Sequence, residues 1–259
     1  LFSKRKLPKS SPLYKEIQFC ANYNKDQLKY LGTTYFKLGK IAHSIAVFET
    51  KHEKLKMQMM LIPGGKFEMG TDLASAPDYC KPKVPVRVVP IFLARYEFSN
   101  EELRILVPDP KKINDPIRKK TRPADDLKFK HIQKLIWVFR QFGFPFMRLP
   151  NEAEWEYACR AGTKTRYFCG IKRLDTYILR GSLTSFERIS RLEKRTKANA
   201  FGLIDMLSHV DEWVSDEWHD SHEGRPYRGT RRGTTEKNDV YGVVRGGNTL
   251  QRFNTDEWV

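Results

Sequence analysis

The sequence changes character at Met57, and this change limits the folds available to the chain. From there on, short apolar runs typical of strands are separated by turn residues, and helical spacing is rare. Residues 61–70 alternate around the turn signal at residues 63–65 and predict a β-hairpin. Residues 84–89 and 91–96 predict further strands. Together these patterns predict a mixed α and β fold.

Three helices interrupt these strands. Ser99 with Glu102 forms a capping box that predicts the start of a short helix. Asn151 with Glu154 forms a second box, and we expect that helix to end at Gly162. The third helix ends at Gly143 and has its apolar residues on one face, namely Phe129, Ile132, Leu135, Ile136 and Phe139.

Residues 1–56 predict a separate helical unit ahead of the main domain, which we place at residues 57–259. Residues 31–39 resemble a tetratricopeptide repeat, with Leu38-Gly39 as the turn into a second helix that carries Ile41, Ile45 and Phe48. A single repeat cannot bury its apolar faces alone, so it must dock on the main domain or belong to a longer array. An ordinary helical hairpin is the alternative interpretation.

The chain is strongly basic. Its 47 Lys and Arg against 31 Asp and Glu give a formal charge of +16, which would attract acidic or phosphate-rich partners. The densest basic stretches, residues 111–120 and 188–197, lack the interleaved aromatic residues of a base-stacking surface. We therefore favour a solvated basic face and keep binding to nucleic acid or anionic lipid as an alternative.

Cysteine usage and hydropathy give few further constraints. Cys20, Cys80, Cys159 and Cys169 show neither a metal-binding spacing nor a disulfide framework, so we interpret them as reduced or structural thiols. No apolar run is long enough to span a bilayer, and a soluble protein is expected. The compartment stays open, with the cytoplasm slightly favoured.

Several segments, in the same order along the chain, resemble landmarks of one known family. They are Leu61 to Gly70, Ala94 to Asn100, Arg148 to Ala158, Asn199 to Met206, Glu212-Trp213 and Arg245 to Asn248. Ordered matches over about two hundred residues are far more specific than one short motif. The chain is identified as a diverged member of the formylglycine-generating enzyme, or sulfatase-modifying factor, domain family. The resemblance implies an α+β fold of the C-type-lectin-like kind with little regular secondary structure.

The resemblance also implies an oxidase chemistry that this sequence does not support. Members of the family hold copper between two cysteines, placed shortly after the segment matching Arg245 to Asn248, and oxidise a sulfatase cysteine to formylglycine. Here residues 248–259 contain no cysteine, and none follows Cys169. The family's closing strand is missing as well, so we expect a C-terminal truncation. Copper is not expected, and we assign no catalytic residue.

A calcium site is the second implication of the resemblance. In the family, two side chains and two backbone carbonyls bind the ion, at positions matching Asp205 and Glu212, and Ser208 and Val210, respectively. Hard oxygen ligands of this kind suit Ca²⁺. Ser208, His209 and Asp211 depart from the family's usual residues, and a lost glycine at 208 can alter the backbone that the site needs. A solvated acidic turn is the alternative.

Other polar residues have simpler interpretations. His209, His219 and His222 lie near Asp216 and could supply an iron site, but loop residues are the favoured interpretation. Trp155, Trp213 and Trp218 are expected to be core or strand anchors. We expect Arg148 and Arg245 to hold carboxylates such as Glu154 or Glu212.

Two functions follow from these patterns. The favoured one is a non-oxidase binding or scaffold module that presents its loops, and the N-terminal helical unit, to a peptide or protein partner. The alternative is an oxidoreductase of the formylglycine-generating type that acts on a protein cysteine in a truncated or altered form.

Overall fold

The computed structural model describes residues 12–107, 123–125, 127–170, 197–207, 210–233 and 242–247. Its helices are α1 (Pro12–Tyr23), α2 (Asn100–Leu106), α3 (Phe129–Gln141) and α4 (Glu152–Arg160). Its strands are β1 (Leu28–Leu38), β2 (Ile41–Thr50), β3 (Gln58–Ile62), β4 (Gly65–Met69), β5 (Val84–Val88), β6 (Ile91–Ala94), β7 (Glu212–Glu217) and β8 (Gly242–Arg245). None of the described helices has the length and apolar character needed to cross a membrane.

The chain divides into two compact units that alternate along the sequence. Unit 1 comprises Leu1–Pro63, Ile91–Met147 and Ala198–Ile204. Unit 2 comprises Gly64–Pro90, Arg148–Lys197 and Asp205–Val259. Each unit is therefore assembled from three separate stretches of chain.

Unit 1 is built on a four-stranded antiparallel sheet with the strand order β1-β2-β3-β6. Helices α1, α2 and α3 contribute to one apolar cluster together with side chains of the sheet. Burial of these side chains is the main favourable term in the folding of this unit. The buried members of the cluster are Ile17, Ala46, Phe48, Leu55, Met57, Met59, Leu61, Leu103, Leu106, Leu135, Phe139 and Phe144.

The prediction of helices over residues 31–48 was wrong, because this segment forms the β1–β2 hairpin. The turn at Leu38-Gly39 was placed correctly, and Gly39 has a φ of 61°, as two-residue hairpin loops require. Residues 45–48 of β2 are all buried, so the strand lacks the alternation that identifies a half-buried strand. The residues on both sides of position 56 also share one sheet, since β2 pairs with β3.

The predicted hairpin over residues 61–70 was also wrong, although both of its strands exist. Strand β3 pairs with β2 and β6, whereas β4 pairs with β5. At the turn, a Cβ on Gly64 would lie 2.8 Å from Cδ of Pro90. Glycine is therefore required at this position because two chain segments approach closely. From the sequence alone, such a glycine cannot be distinguished from one in a hairpin turn.

The remaining predicted strands and helices are confirmed. Strands β5 and β6 occupy the predicted segments. Both capping boxes form, with Ser99 at the start of α2 and Asn151 at the start of α4. Helix α3 ends two residues before Gly143, and α4 ends before Ala161, which has a left-handed conformation with a φ of 46°.

Unit 2 consists of the ribbons β4–β5 and β7–β8 together with α4. Helix α4 contacts all four of these strands, and every residue from Glu152 to Cys159 is buried. A helix that is buried all round has no solvent face for its charged residues. Its glutamates must therefore find partners inside the unit.

Gly202 gives a test of close packing in unit 1. A Cβ at this position would lie 2.5 Å from Phe36 and 2.6 Å from Met60, and the residue has a φ of 80°. We expect Gly202→Ala to lower the free energy of unfolding by about 2 to 4 kcal/mol, because the new side chain would both strain the backbone at a positive φ and overpack against its neighbours. Denaturant unfolding measures this loss.

Gly39→Ala is the matched control, since Gly39 has a φ of 61° but open space around it. Only the backbone strain remains there, so the expected loss is about 1 kcal/mol. Equal losses in the two variants would contradict the packing explanation.

Candidate functional site

The first turn of α4 fixes the charged residues that follow it. The side chain of Asn151 accepts a hydrogen bond from the backbone N–H of Glu154 at 2.8 Å, and the Glu154 carboxylate accepts one from the N–H of Asn151 at 2.8 Å. Arg148 donates two hydrogen bonds to the same carboxylate, at 2.7 and 2.8 Å. The predicted pairing of Arg148 with Glu154 is thus confirmed, and it is bidentate.

Glu156, one turn further along α4, is the centre of a buried ion-pair cluster. Its Oε1 accepts hydrogen bonds from Nε of Arg160 at 2.8 Å and from the backbone N–H of Gly70 at 2.9 Å. Its Oε2 accepts one from Nη2 of Arg245 at 2.8 Å. Burial acts to raise the pKa of Glu156, but Arg245 and Arg160 outweigh it, so the pKa lies below its ordinary value. The carboxylate is therefore ionised inside the fold.

Glu152 extends the cluster on the same face of α4. Its carboxylate binds the guanidinium of Arg225, and Oε1 lies 3.5 Å from Nη1 of Arg245. Arg225 also contacts Asp216 of β7 at 3.2 Å, and Asp216 accepts a hydrogen bond from the backbone N–H of Glu152 at 2.8 Å. These contacts connect the helix to β7 through charged side chains that are themselves at most 10% exposed.

Arg245 does not hold Glu212, contrary to one of the predicted options. The two residues face each other in the β7–β8 register, yet the guanidinium bonds to Glu156. Glu212 instead accepts a hydrogen bond from Nε1 of Trp155 at 2.9 Å. Arg245 lies over the Trp155 ring, 5.3 Å from its centre, which is within cation–π range.

Trp155 is fully buried, as predicted for a core anchor, and Trp213 lies on strand β7, in agreement with the alternative prediction of a strand anchor. Trp213 is half-buried. Trp218 is 41% exposed, packs against Tyr79 at 5.0 Å and donates from Nε1 to Asp220 at 3.0 Å. An exposed aromatic pair of this kind was not found by sequence reasoning, because large aromatic residues are usually buried.

The predicted calcium ligands are only partly described by the structure. Asp205 is buried and has a φ of 66°, while Glu212 begins β7. Ser208 lies outside the described residues, as does His209. Burial raises the pKa of Glu212 to about 7, although its bond from Trp155 opposes the shift, and the charge of Asp205 raises it further.

The buried Asp205 carboxylate raises the cost of ionising Glu212, which is half-buried, and a bound cation would offset this repulsion. Asp205 and Glu212 would supply side-chain oxygens, and Val210 a backbone carbonyl. Among the described residues, no group of three or more His, Cys, Asp or Glu side chains could hold a metal ion. The donor set near Asp205 therefore depends on backbone oxygens.

The cysteines of the chain do not fit a copper dithiolate. Residues 248–259, where the resemblance places that pair, contain none and lie outside the described part of the chain. None of the four cysteines, all of which lie in the described residues, forms a disulfide. Burial raises the pKa values of Cys80 and Cys159, which disfavours the thiolate that Cu(I) binding requires.

His222 is a buried polar residue whose packing sequence reasoning missed. Among the described residues its Nδ1 has no hydrogen-bond partner, and burial lowers its pKa. A Cβ on Gly70 would lie 2.4 Å from that nitrogen, so only glycine fits beside it.

Comparison with known proteins shows that the chain matches one family. Residues 44–257 match the family model of the sulfatase-modifying factor enzyme 1-like domain. Over 90 residues the chain is 34% identical to the formylglycine-generating enzyme of Mycobacterium tuberculosis, covering 30% of each chain. Over 215 residues it is 22% identical to the inactive C-alpha-formylglycine-generating enzyme 2 of Bos taurus, covering 62% of this chain and 71% of that protein.

Solved structures show the same fold. The structure of PvdO from Pseudomonas aeruginosa has a TM-score of 0.67 at 21% identity, covering 80% of this chain and 87% of that one. Treponema denticola variable protein 1 has a TM-score of 0.59 at 17% identity, covering 84% of this chain and 87% of that one. These matches and the observed elements confirm the predicted α+β fold of the sulfatase-modifying-factor kind.

The buried cluster predicts a specific pH dependence of stability. Because the pKa of Glu156 is lowered from its ordinary value of 4.5, its ion pairs stabilise the fold above that pH and are lost as the pH falls through the lower folded value. At pH 7, Glu156→Gln should lower the free energy of unfolding by about 3 to 5 kcal/mol, since it leaves buried arginines without a counter-charge. The difference from wild type should narrow below pH 4.5. Denaturant unfolding across this pH range tests both effects.

Glu68→Gln is the control for this experiment, because Glu68 is exposed on β4. We expect it to change stability by less than about 0.5 kcal/mol at any pH. A Glu156→Gln variant that matched this control would refute the structural role of the cluster.

Proposed function

This chain belongs to the sulfatase-modifying factor enzyme 1-like domain family, and from that premise we propose that it is a non-oxidase binding module for a peptide or protein partner. The observation that carries the proposal is a contrast within the chain. The charged framework around α4 is complete, whereas no cysteine follows Cys169 in the sequence. The buried ion pairs that stabilise the fold are thus present, whereas the cysteines that the family's oxidase chemistry needs are not.

The framework can hold the fold without copper. Glu152 and Glu156 are neutralised by Arg225, Arg160 and Arg245, all through contacts within unit 2. Such pairs are costly to break but need no external ligand. A domain supported in this way can keep its shape after losing an oxidase centre, and its loops remain available for binding.

The relatives support the same proposal. Two of them, from Bos taurus and Mus musculus, are named inactive enzymes, and their alignments extend over 62% of this chain. The alignment with the mycobacterial formylglycine-generating enzyme is shorter and spans less than a third of that protein. An oxidoreductase acting on a protein cysteine is the competing function, and an activity assay separates the two.

We expect no formylglycine when the purified chain is incubated with copper, oxygen and a cysteine-containing sulfatase peptide. The physical reason is the lack of a thiolate pair at the position where the family binds Cu(I). Mass spectrometry of the peptide provides the measurement, and the mycobacterial enzyme serves as the positive control.

Conversion of the peptide above the level seen without protein would refute the binding-module proposal in favour of the oxidoreductase. In that case, replacing Cys80 and Cys159 with Ser would show whether the activity uses these buried thiols.

Calcium is the cofactor that we propose for this module, held by Asp205 and Glu212 with the Val210 carbonyl and the backbone of Ser208. The support is the buried carboxylate of Asp205, whose charge acts on the half-buried Glu212. The ion would stabilise the loop that precedes β7 by neutralising them.

Thermal unfolding with and without Ca²⁺ tests this site. A ligand that binds only the folded state stabilises it by about 2.7 kcal/mol at a hundred times its Kd, which corresponds to a Tm increase of about 5 °C for a chain of this size. The Asp205→Asn, Glu212→Gln double variant should lose the increase. Asp220→Asn is the control and should keep it, because Asp220 is an exposed carboxylate bonded to Trp218. A wild-type protein that unfolds at the same temperature in both buffers would exclude the calcium site.

A further inference from the structure

The helices of unit 1 form a layer on one face of its sheet. Within the apolar cluster, Ala46 lies opposite Leu61 in the register of β2 and β3, and Leu61 lies opposite Phe92 of β6. Directly paired residues project from the same face of a sheet, so the cluster occupies a single face. Because α1, α2 and α3 all contribute to this cluster, their other sides point away from the sheet together. We call this the outer side of the helix layer.

Three large aromatic side chains lie on this outer side. Helix α1 buries Ile17, and Phe19 follows two residues later, about 200° further around the helix axis. Helix α3 buries Leu135, and Trp137 has the same spacing from it. Phe19 is 69% exposed, Tyr23 65% and Trp137 62%. Side chains of this size are usually buried, so several of them on one side of a unit indicate an interaction surface.

The exposed rings continue from α1 to the loop after α3. Phe19 stacks on Tyr23 with ring centres 6.0 Å apart, and Tyr23 contacts the largely exposed Phe146 at 6.1 Å. Rings that are mostly exposed protrude, so they do not line the concave pocket or groove that holds a small molecule or a helical peptide. A bilayer interface accepts protruding rings, because lipid head groups and chains rearrange around them.

Basic side chains surround Trp137. Lys130, Lys134 and Arg140 are all exposed, and their spacing of three or seven residues from Trp137 places them on the same half of α3. Residues 128–148 contain no Asp or Glu. A tryptophan flanked by lysine and arginine is typical of a surface that binds an anionic bilayer, because the long basic side chains reach the head groups while the indole lies at the interface.

Acidic residues on neighbouring segments reduce the positive charge but do not reverse it. Glu16 and Glu102 are half-buried, and burial raises the pKa values of both. The exposed charged residues of the helix layer, the turn after α1 and the β2–β3 loop are Lys15, Lys25, Lys51, Lys54, Lys56, Lys128, Lys130, Lys134 and Arg140 against Asp26, Glu53 and Glu101. This surface therefore complements an anionic partner.

We propose that the outer side of the helix layer binds anionic lipid bilayers. Phe19, Tyr23 and Trp137 insert at the level of the head groups, and the basic residues of α3 contact anionic lipids. The bilayer is a partner in addition to the peptide or protein of the proposed function, so the inference does not depend on that function.

Two other occupants fit these residues less well. Single-stranded nucleic acid also binds aromatic and basic residues, but a base needs an open ring face. Tyr23 contacts Phe19 and also Phe146, which leaves it little open face. A second copy of the chain would bring the same positive charges together, and like charges across an interface disfavour association.

Vesicle sedimentation of the full chain measures the binding. At low salt we expect the chain to bind phosphatidylcholine vesicles with about 30% phosphatidylserine at least about tenfold more tightly than phosphatidylcholine alone, because each basic residue near the surface adds to the attraction. Salt should weaken this binding, since it screens exposed charges.

Lipids brominated in their acyl chains test whether Trp137 is inserted. They should quench part of the tryptophan fluorescence of the bound chain, because bromine quenches only an indole that lies close to it. Trp137→Phe should bind the vesicles within about twofold of wild type, since it keeps an aromatic ring. The quenching should be largely lost in this variant.

Two triple variants separate the aromatic from the electrostatic contribution. The substitutions are Phe19→Gln, Tyr23→Gln and Trp137→Gln in the first, and Lys130→Gln, Lys134→Gln and Arg140→Gln in the second. Each should weaken binding to the anionic vesicles at least about tenfold. Because all six side chains are exposed, the Tm of both variants should stay close to that of wild type.

Matched controls remove the same number of exposed side chains from unit 2. The apolar control carries Leu73→Gln, Val89→Gln and Tyr227→Gln, and the basic control carries Lys66→Gln, Lys83→Gln and Arg87→Gln. Both should bind the anionic vesicles within about twofold of wild type, since they leave the helix layer unchanged.

Several results would overturn the inference. They are no vesicle binding, equal binding to both kinds of vesicle, undiminished binding by the helix-layer variants, equal weakening in the controls, and unchanged quenching in Trp137→Phe. Binding of a single-stranded oligonucleotide through the same residues, without binding to vesicles, would assign the surface to nucleic acid instead. Formylglycine production would refute the proposed function alone, so the two failures are distinguishable.

Discussion

The buried carboxylate of Glu156 is the contact on which unit 2 depends most. It receives bonds from its own helix through Arg160, from the end of β4 through Gly70 and from β8 through Arg245. A charge removed from water is tolerated only when its partners are in place. If any one of these segments is misplaced, the free energy of desolvating the carboxylate is no longer compensated. The three segments are far apart in the sequence but energetically inseparable.

This dependence also explains which parts of the fold could be predicted from the sequence. Capping boxes act over three residues, and so Ser99 and Asn151 gave the starts of α2 and α4 correctly. The partner of Arg245 is set by the position of α4 against β8, which no local pattern contains. Glu212 lies opposite Arg245 in the β7–β8 register, yet its carboxylate accepts a hydrogen bond from the indole of Trp155 instead.

The β1–β2 hairpin shows a different limit. A strand buried on both faces has no polar alternation, and apolar residues at 41, 45 and 48 match helical spacing equally well. The β-branched and aromatic run at residues 33–36 was the signal that could have favoured a strand. The family resemblance, by contrast, identified the fold because it used the order of distant segments rather than the spacing within one.

The interleaving of the two units has a consequence for synthesis on the ribosome. Unit 1 begins with Leu1–Pro63 but takes its last piece from Ala198–Ile204, where Phe201 is buried and its ring packs against that of His43, with the ring centres 4.7 Å apart. That piece emerges only after most of unit 2 has been translated. Until then, the apolar surface of the nascent sheet that this segment covers is exposed. During this period the chain is most in need of chaperones. The order of chain segments thus prevents the first unit from maturing before the second has largely been made.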